Sequence, residues 1–338
     1  MEVYEIVKRL IKSIFPWSPK IYHMVCRPIH KVYNKYDTPI IILLYHRCAN
    51  MTSDPQLLGV TPEHFEDHIK WITENYKVLR FDEEWQKVTE PSVVITFDDG
   101  YEDNYLNAVP ILEKYHCPAT IFVTTGRLDT DMEPWCDDVE RIILLNNNLL
   151  GNKVTIDLGE FGIVEKEILT ESERNDLYYL VHDTVKEMQP EDRDSVLSNI
   201  TDKYGEYPVR KAHRYMSSDQ IKQLAASKYI TIGGHTITHS KLSVESIEKQ
   251  LEEIEGSKKR LEKIMGKKVI TFSYPFGSIK DYNEDSVKIV RELGFLHTAS
   301  NFPGRVHSNT SVYELPRQIV RDWDLTTFCE RFDSFWTN

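Results

Sequence analysis

The apolar positions of the chain keep one rhythm at the start and a different one afterwards. Val3, Ile6, Val7, Leu10, Ile11 and Ile14 recur at helical spacing with Lys8, Arg9 and Lys12 on the other side, which predicts an amphipathic helix. Residues 1–36 therefore read as a separate N-terminal helical segment, packed on the domain or in peripheral contact with a membrane surface. From residue 37 the chain alternates between buried runs and amphipathic stretches. The unbroken apolar run over 39–44 has the pattern of a strand covered on both faces, and it ends in Tyr45-His46. Thr61-Pro62-Glu63 opens a helix with Phe65, Ile69 and Ile72 on one side. Strands follow over 92–97 and 120–124, with a helix near 105–115 between them. Beyond residue 213 come a helix over 218–227, a strand over 229–232 and a long helix over 243–265. That helix bears Val244, Ile247, Leu251, Ile254, Leu261 and Ile264 and stops at Gly266. A strand over 269–272, a helix over 284–293 and a strand over 296–299 complete the series. Such alternation predicts a parallel α/β sheet or barrel over 37–338. The stretch 127–213 breaks the rhythm with a helix (137–145), a hairpin (154–168, turning at Gly159–Gly162) and two more helices (171–188 and 191–203). It reads as an insertion over part of the barrel mouth.

The 338 residues, 41% apolar and 28% charged, suit one large domain with a substantial core. Lysine and arginine number 41 against 53 acidic residues, a net charge of −12, so the chain has no general attraction for nucleic acid. Five scattered cysteines with no C-x-x-C pair exclude a disulfide framework and a thiolate zinc finger, and they favour a reducing compartment. No apolar run reaches the roughly 18 residues of a membrane span. The N-terminal stretch has basic residues and Pro16 in place of a signal sequence. The expected address is cytoplasmic, at the inner face of the membrane if the first helix docks there.

Chemistry concentrates at the ends of the predicted strands. The strand over 92–97 delivers Asp98-Asp99-Gly100 where the loops of a barrel mouth gather. Adjacent carboxylates repel, and a nearby cation would offset that repulsion; the same tripeptide also serves as an ordinary turn. Two histidine pairs stand four residues apart, His64/His68 and His235/His239. The first lies inside the helix opened by Thr61, has His68 on its apolar stripe, and lacks the glutamate of H-E-x-x-H, so it reads as structural. The second follows a strand and two glycines, Gly233 and Gly234, which would let backbone approach something closely. Two imidazoles and a carboxylate form a three-ligand set that leaves a position open, as a catalytic zinc requires. Tyr274-Pro275-Phe276-Gly277 follows the strand over 269–272; it is a rigid turn able to present a backbone N–H and an aromatic wall.

Taken in order, Thr96-Phe97-Asp98-Asp99-Gly100, His235-Thr-Ile-Thr-His239 and Ser273-Tyr-Pro-Phe-Gly277 resemble the polysaccharide deacetylases, the NodB-homology enzymes of carbohydrate esterase family 4. Tyr45-His46-Arg47 and Leu315-Pro316-Arg317 suit one branch of that family. The resemblance implies a distorted (β/α)7 TIM-like barrel, with a helical-plus-hairpin insertion, that hydrolyses an N-acetyl amide with one divalent metal ion. Zn2+ is the first choice and Co2+, Ni2+ or Fe2+ the alternatives. It assigns Asp98 as general base and Asp99, His235 and His239 as metal ligands. Tyr274, Pro275 and Phe276 form the substrate and oxyanion turn, with the Tyr274 N–H as the donor. Where many relatives carry an arginine before the third motif, this chain has Thr271-Phe272-Ser273, and Arg317 is the expected substitute beside Asp98. For the general acid, His46 at a strand end is preferred to His297, with His307 third. The expected substrate is an N-acetylated amino sugar, oligosaccharide, lipid-linked or nucleotide-linked. A deformylase or other amidase would use the same groups, with the insertion and Trp135 shaping the pocket. A glycan-binding module that no longer catalyses is the alternative from another class.

Overall fold

The computed structural model describes residues 32–85 and 88–336. The helix expected over the first residues, and with it the membrane contact, lies outside the described residues. Among the described residues twelve strands occur in this order: β1 (Ile40–Tyr45), β2 (Arg47–Cys48), β3 (Gly59–Val60), β4 (Lys77–Val78), β5 (Ser92–Phe97), β6 (Ala119–Val123), β7 (Asn152–Asp157), β8 (Ile163–Ile168), β9 (Ile230–Gly234), β10 (Thr271–Ser273), β11 (His297–Ala299) and β12 (Gln318–Ile319). Seven of them form one parallel sheet in the order β11-β10-β9-β6-β5-β1-β12, with β4 added beside β5. The edges meet through the segment leading into β12. Leu315 N–H donates to Thr298 O and Ser300 N–H to Leu315 O, both at 2.9 Å, while Gln318 and Ile319 pair with Leu43 and Leu44 of β1. The sheet is thus a distorted seven-stranded barrel.

Period-2 alternation assigns the two faces of each strand. Ile41, Leu43, Tyr45, Val93, Ile95 and Phe97 pack outward against helix residues such as Phe65, Ile69, Leu112 and Leu261. Ile40, Ile42, Val94 and Phe122 face the other way and gather with Phe81 and Val306. Both faces are covered, which is why β1 and β5 are buried along their whole length. Thr61 caps the helix Pro62–Asn75 as its sequence implies. Gly233 and Gly234 lie within β9, and the close approach they allow is to neighbouring strands. A Cβ on Gly233 would stand 2.4 Å from Phe122 Cδ1, and one on Gly234 3.2 Å from Phe272 Cδ2.

The long helix departs from its expected bounds and face. It spans Ile247–Met265 because the Ser246 side chain accepts from Lys249 N–H, and residues 242–244 form a separate 3₁₀ turn. Ile247 and Leu251 of the apolar stripe are exposed, whereas Gln250, Glu253 and Ser257 are buried. Polar side chains at i, i+3 and i+7 therefore share the buried face with Ile254 and Leu261.

The insertion has a core of its own. The helix Trp135–Ile143, the β7–β8 hairpin and the helices Glu171–Lys186 and Pro190–Tyr204 enclose Val139, Ile143, Val154, Leu177, Val181 and Leu197. Buried polar contacts tie it to the barrel: Arg47 Nη1 stands 3.7 Å from Asp137 Oδ1 and Nη2 donates to Ala212 O at 2.6 Å, while the Tyr101 hydroxyl donates to Asp137 Oδ2 at 2.6 Å. No helix of the described residues is long and apolar enough to cross a membrane.

Candidate active site

The C-terminal ends of β1, β5, β9 and β12 open on a cleft of about 370 Å³ that the insertion walls on one side through Trp135, His182 and Lys186. β5 runs directly into Asp98 and Asp99, and β9 into His235. Among the described residues, seven non-glycines have left-handed backbone, and four of them are here: Asp99, Thr236, His239 and Phe276. Such conformations cost about 1–3 kcal/mol each and persist where surrounding bonds over-determine them. Thr124 N–H donates to Asp99 O at 3.1 Å, His239 N–H to Thr236 Oγ1 at 3.1 Å, and the Trp135 indole N–H to His239 O at 3.2 Å.

His235 Nε2 and His239 Nε2 stand 3.4 and 3.2 Å from the same oxygen, Asp99 Oδ1. The donor atoms of the three residues lie within 4.8 Å of one another. His235 Nδ1 is 2.7 Å from Ser273 O, and a carbonyl only accepts, so Nδ1 carries a proton and the lone pair of a neutral ring lies on Nε2. An imidazole lone pair facing a carboxylate oxygen needs a positive charge between them. The donor set and its directions fit a small divalent cation. Asp99 reflects the same field: burial would raise its carboxyl, but His239 and His235 hold it well below the usual range.

Asp98 belongs to a second arrangement. Arg317 grips it side by side, Nη1 to Oδ1 at 2.7 Å and Nη2 to Oδ2 at 2.6 Å, with the guanidinium 1% and the aspartate 4% exposed. Arg317 also donates to Ser300 O and Ser273 Oγ, at 2.7 and 2.8 Å, so its plane is fixed. Ser273, in the Thr271-Phe272-Ser273 stretch that carries no arginine, donates a hydrogen bond to Asp98 Oδ2 at 3.1 Å. Burial would raise the Asp98 carboxyl; Arg317 and His235 outweigh it and hold the group below its ordinary value.

His46 is half-buried and lines the cleft. Burial pulls its imidazole below the ordinary value, with Asp99 and Asp98 partly opposing. Asn104 donates to its backbone carbonyl at 2.8 Å, and Asp103 accepts the N–H of Cys48 at 2.9 Å, so the segment is held from the π-turn Asn104–Ala108 side. His297 and His307 lie at the other end of the barrel, beside Ile40 at the start of β1. His297 is bonded through Nδ1 to Phe81 O at 2.8 Å and stacked on Trp85, so it faces away from the aspartates. His68 is buried against Trp323 O, and His64 pairs with Asp322 at 2.7 Å, both remote from the cleft.

The third motif requires a correction. The Tyr274 N–H donates to Ala299 O at 3.1 Å, because the β10–β11 ladder continues through it, and its ring is buried against Tyr282. Neither group is offered to the cleft. Pro275 has no N–H, and Gly277 N–H turns back to Pro275 O at 2.6 Å. Phe276 is the motif residue on the cleft wall, its ring 4.7 Å from that of His239. Its N–H is the one donor of the turn with no acceptor among the described residues.

Sequence reasoning did not find Glu253. From the long helix it accepts the N–H groups of Ile237 and Thr238, at 2.8 and 2.9 Å, and the Thr238 hydroxyl at 2.9 Å. It thereby holds the turn between the two histidines. The available signal was a glutamate at helical spacing from Gln250 and Ser257, beside the apolar stripe. A further group of possible donors, Glu133, Asp137 and His213, is already satisfied. Arg210 takes Glu133, while Tyr101 and His213 both reach Asp137 at 2.6 Å.

Glu245, 6% exposed near Glu253 and Glu191, supplies a stability test. Burial, followed by repulsion from those two carboxylates, pushes its carboxyl up to about 7. Its folded value lies above the unfolded one, so the stability tied to its proton is complete below about pH 4.5 and fades as pH rises through about 7. Urea midpoints of Glu245→Gln should therefore fall less between pH 5 and 8 than those of the wild type. Parallel curves would reject this.

The model of the family described as polysaccharide deacetylase matches residues 86–297. The chain is 25% identical over 286 residues to the Bacillus subtilis protein YxkH, covering 82% of this chain and 70% of that protein. It is 23% identical over 283 residues to the poly-β-1,6-N-acetyl-D-glucosamine N-deacetylase of Staphylococcus aureus, covering 82% and 73%. In fold it is similar to the solved structure of IcaB from Ammonifex degensii, with a TM-score of 0.57, 14% identity, and coverage of 89% of this chain and 97% of that one. With the family model spanning well over half its length, and the three motif segments meeting beside one cleft, this chain belongs to the polysaccharide deacetylase family.

Proposed function

We propose that the protein is a metal-dependent hydrolase that removes the N-acetyl group from an amino sugar in a glycan or glycan precursor. The observation that carries this is a carboxylate locked by Arg317, Asp98, directly beside the Asp99–His235–His239 donor set at the barrel mouth. Asp99, His235 and His239 would hold the divalent ion, Zn2+ before Co2+, Ni2+ or Fe2+. When bound, such an ion polarises the amide carbonyl and acidifies a water. Asp98, kept ionised and aligned by Arg317, accepts the proton of the attacking water. The Phe276 N–H, without a protein acceptor, donates to the developing oxyanion. His46, across the cleft, delivers a proton to the leaving nitrogen. Trp135 and Phe276 form aromatic walls for the acetyl group and sugar ring.

Acetate release from N-acetylglucosamine oligomers and from nucleotide-linked N-acetylhexosamine tests the reading. We expect release with the wild type that stops on chelation and returns with Zn2+ or Co2+, and Asp98→Asn slower by about 10²–10⁴-fold. Release that survives chelation, or an undiminished Asp98→Asn, would overturn the proposal. Sugar binding without any turnover would favour a glycan-binding module.

A further inference from the structure

The charged groups of the cleft are balanced with one exception. Asp98 is paired with Arg317, Asp99 faces the two histidines, and Lys186 lies 2.9 Å from Asp281. Arg321 also lines the cleft, and among the described residues no carboxylate lies within ion-pair distance of it. It follows β12, which pairs with β1, so it stands on the His46 side of the mouth, and its charge is felt at His46. One arm of the guanidinium is anchored: Nη1 donates to Gln56 O at 2.9 Å and to Leu57 O. Carbonyl oxygens orient a guanidinium but leave its positive charge uncompensated. Burial accordingly pulls the Arg321 pKa down, with only Asp54 opposing. The Nε–Nη2 edge has no acceptor among the described residues and is not sealed from solvent. Those two parallel N–H groups are the edge with which arginine grips a carboxylate or phosphate in a bidentate manner.

We propose that Arg321 is an oxyanion subsite of the catalytic cleft, and that the substrate is an N-acetylated amino sugar carrying a phosphate or carboxylate on the His46 side of its amide. This inference rests on the deacetylase reading and narrows it. A neutral acetylated polymer, such as the one named for the Staphylococcus aureus relative, would leave the Arg321 cation partly desolvated without a counter-ion. A phosphorylated sugar and a sugar acid present the same pair of oxygens, and the assay tells them apart.

The test compares acetate release from N-acetylglucosamine 1-phosphate, N-acetylmuramic acid and neutral N,N′-diacetylchitobiose. The enzymes are the Zn2+-loaded wild type, Arg321→Met and Arg321→Lys. We expect the wild type to favour one of the two anionic sugars over the neutral one by about tenfold or more in kcat/KM. The better of the two identifies the oxyanion. Arg321→Met should reduce that ratio by about tenfold. Arg321→Lys, which keeps a charge and a donor for Gln56 O but loses the paired edge, should fall between. An unchanged melting temperature in Arg321→Lys separates this loss from unfolding. Release from the neutral sugar at least as efficient as from both anions overturns the subsite and leaves the deacetylase reading standing. A ratio unchanged in both variants does the same. No release from any of the three, with or without reloaded metal, removes both.

Discussion

Replacing Arg317 with methionine should destabilise the protein by about 3–5 kcal/mol and slow acetate release by about 10²–10⁴-fold. Both effects come from one geometry. Arg317 and Asp98 are buried together, two charge-assisted bonds of 2.7 and 2.6 Å join them, and the rest of the guanidinium is held by Ser300, Ser273 and Thr96. Removing the cation leaves a carboxylate in a poorly solvated site, where burial raises its pKa and the protonated form cannot act as a base. Pairing Arg317→Met with Asp98→Asn removes both charges, so the double variant should regain stability but not activity. Urea denaturation of the four proteins measures that coupling. Additive losses would mean that the pair does not act as a unit.

The second large effect concerns the donor set. Purified wild type should carry about one divalent ion per chain by elemental mass spectrometry, and Asp99→Ala and His239→Ala should carry almost none. The loss should not be a loss of fold. Asp99→Ala removes one of two adjacent buried carboxylates, and His239 makes only the Thr236 and Trp135 bonds through its backbone. A ligand at a hundredfold excess over its Kd stabilises the folded state by about 2.7 kcal/mol. Added Zn2+ should therefore raise the melting temperature of the chelator-treated wild type and leave both variants unmoved. An equal shift in all three proteins would place the ion elsewhere.

The local pattern of the sequence determined the parallel strands, the helix start at Thr61, the helix stop at Gly266, and the delivery of Asp98-Asp99 and His235 at strand ends. These features depend on neighbours in the chain: apolar runs that must be covered on both faces, and capping residues at helix ends. Other features lie beyond any local pattern, because their partners meet only after long loops close. Arg317 reaches Asp98 across 219 residues in such a way that two bonds form at once. Glu253 left the solvent face because its carboxylate answers two backbone donors between the histidines. Tyr274, which its motif offered as the oxyanion donor, is drawn into the sheet by Ala299, and the N–H of Phe276 two residues on is the one left without an acceptor among the described residues. His46 follows β1 whereas His297 opens β11; the strand-end position already favoured His46 in the sequence, and the parallel sheet supplies the reason, since it sends the ends of all its strands to one mouth and their beginnings to the opposite face.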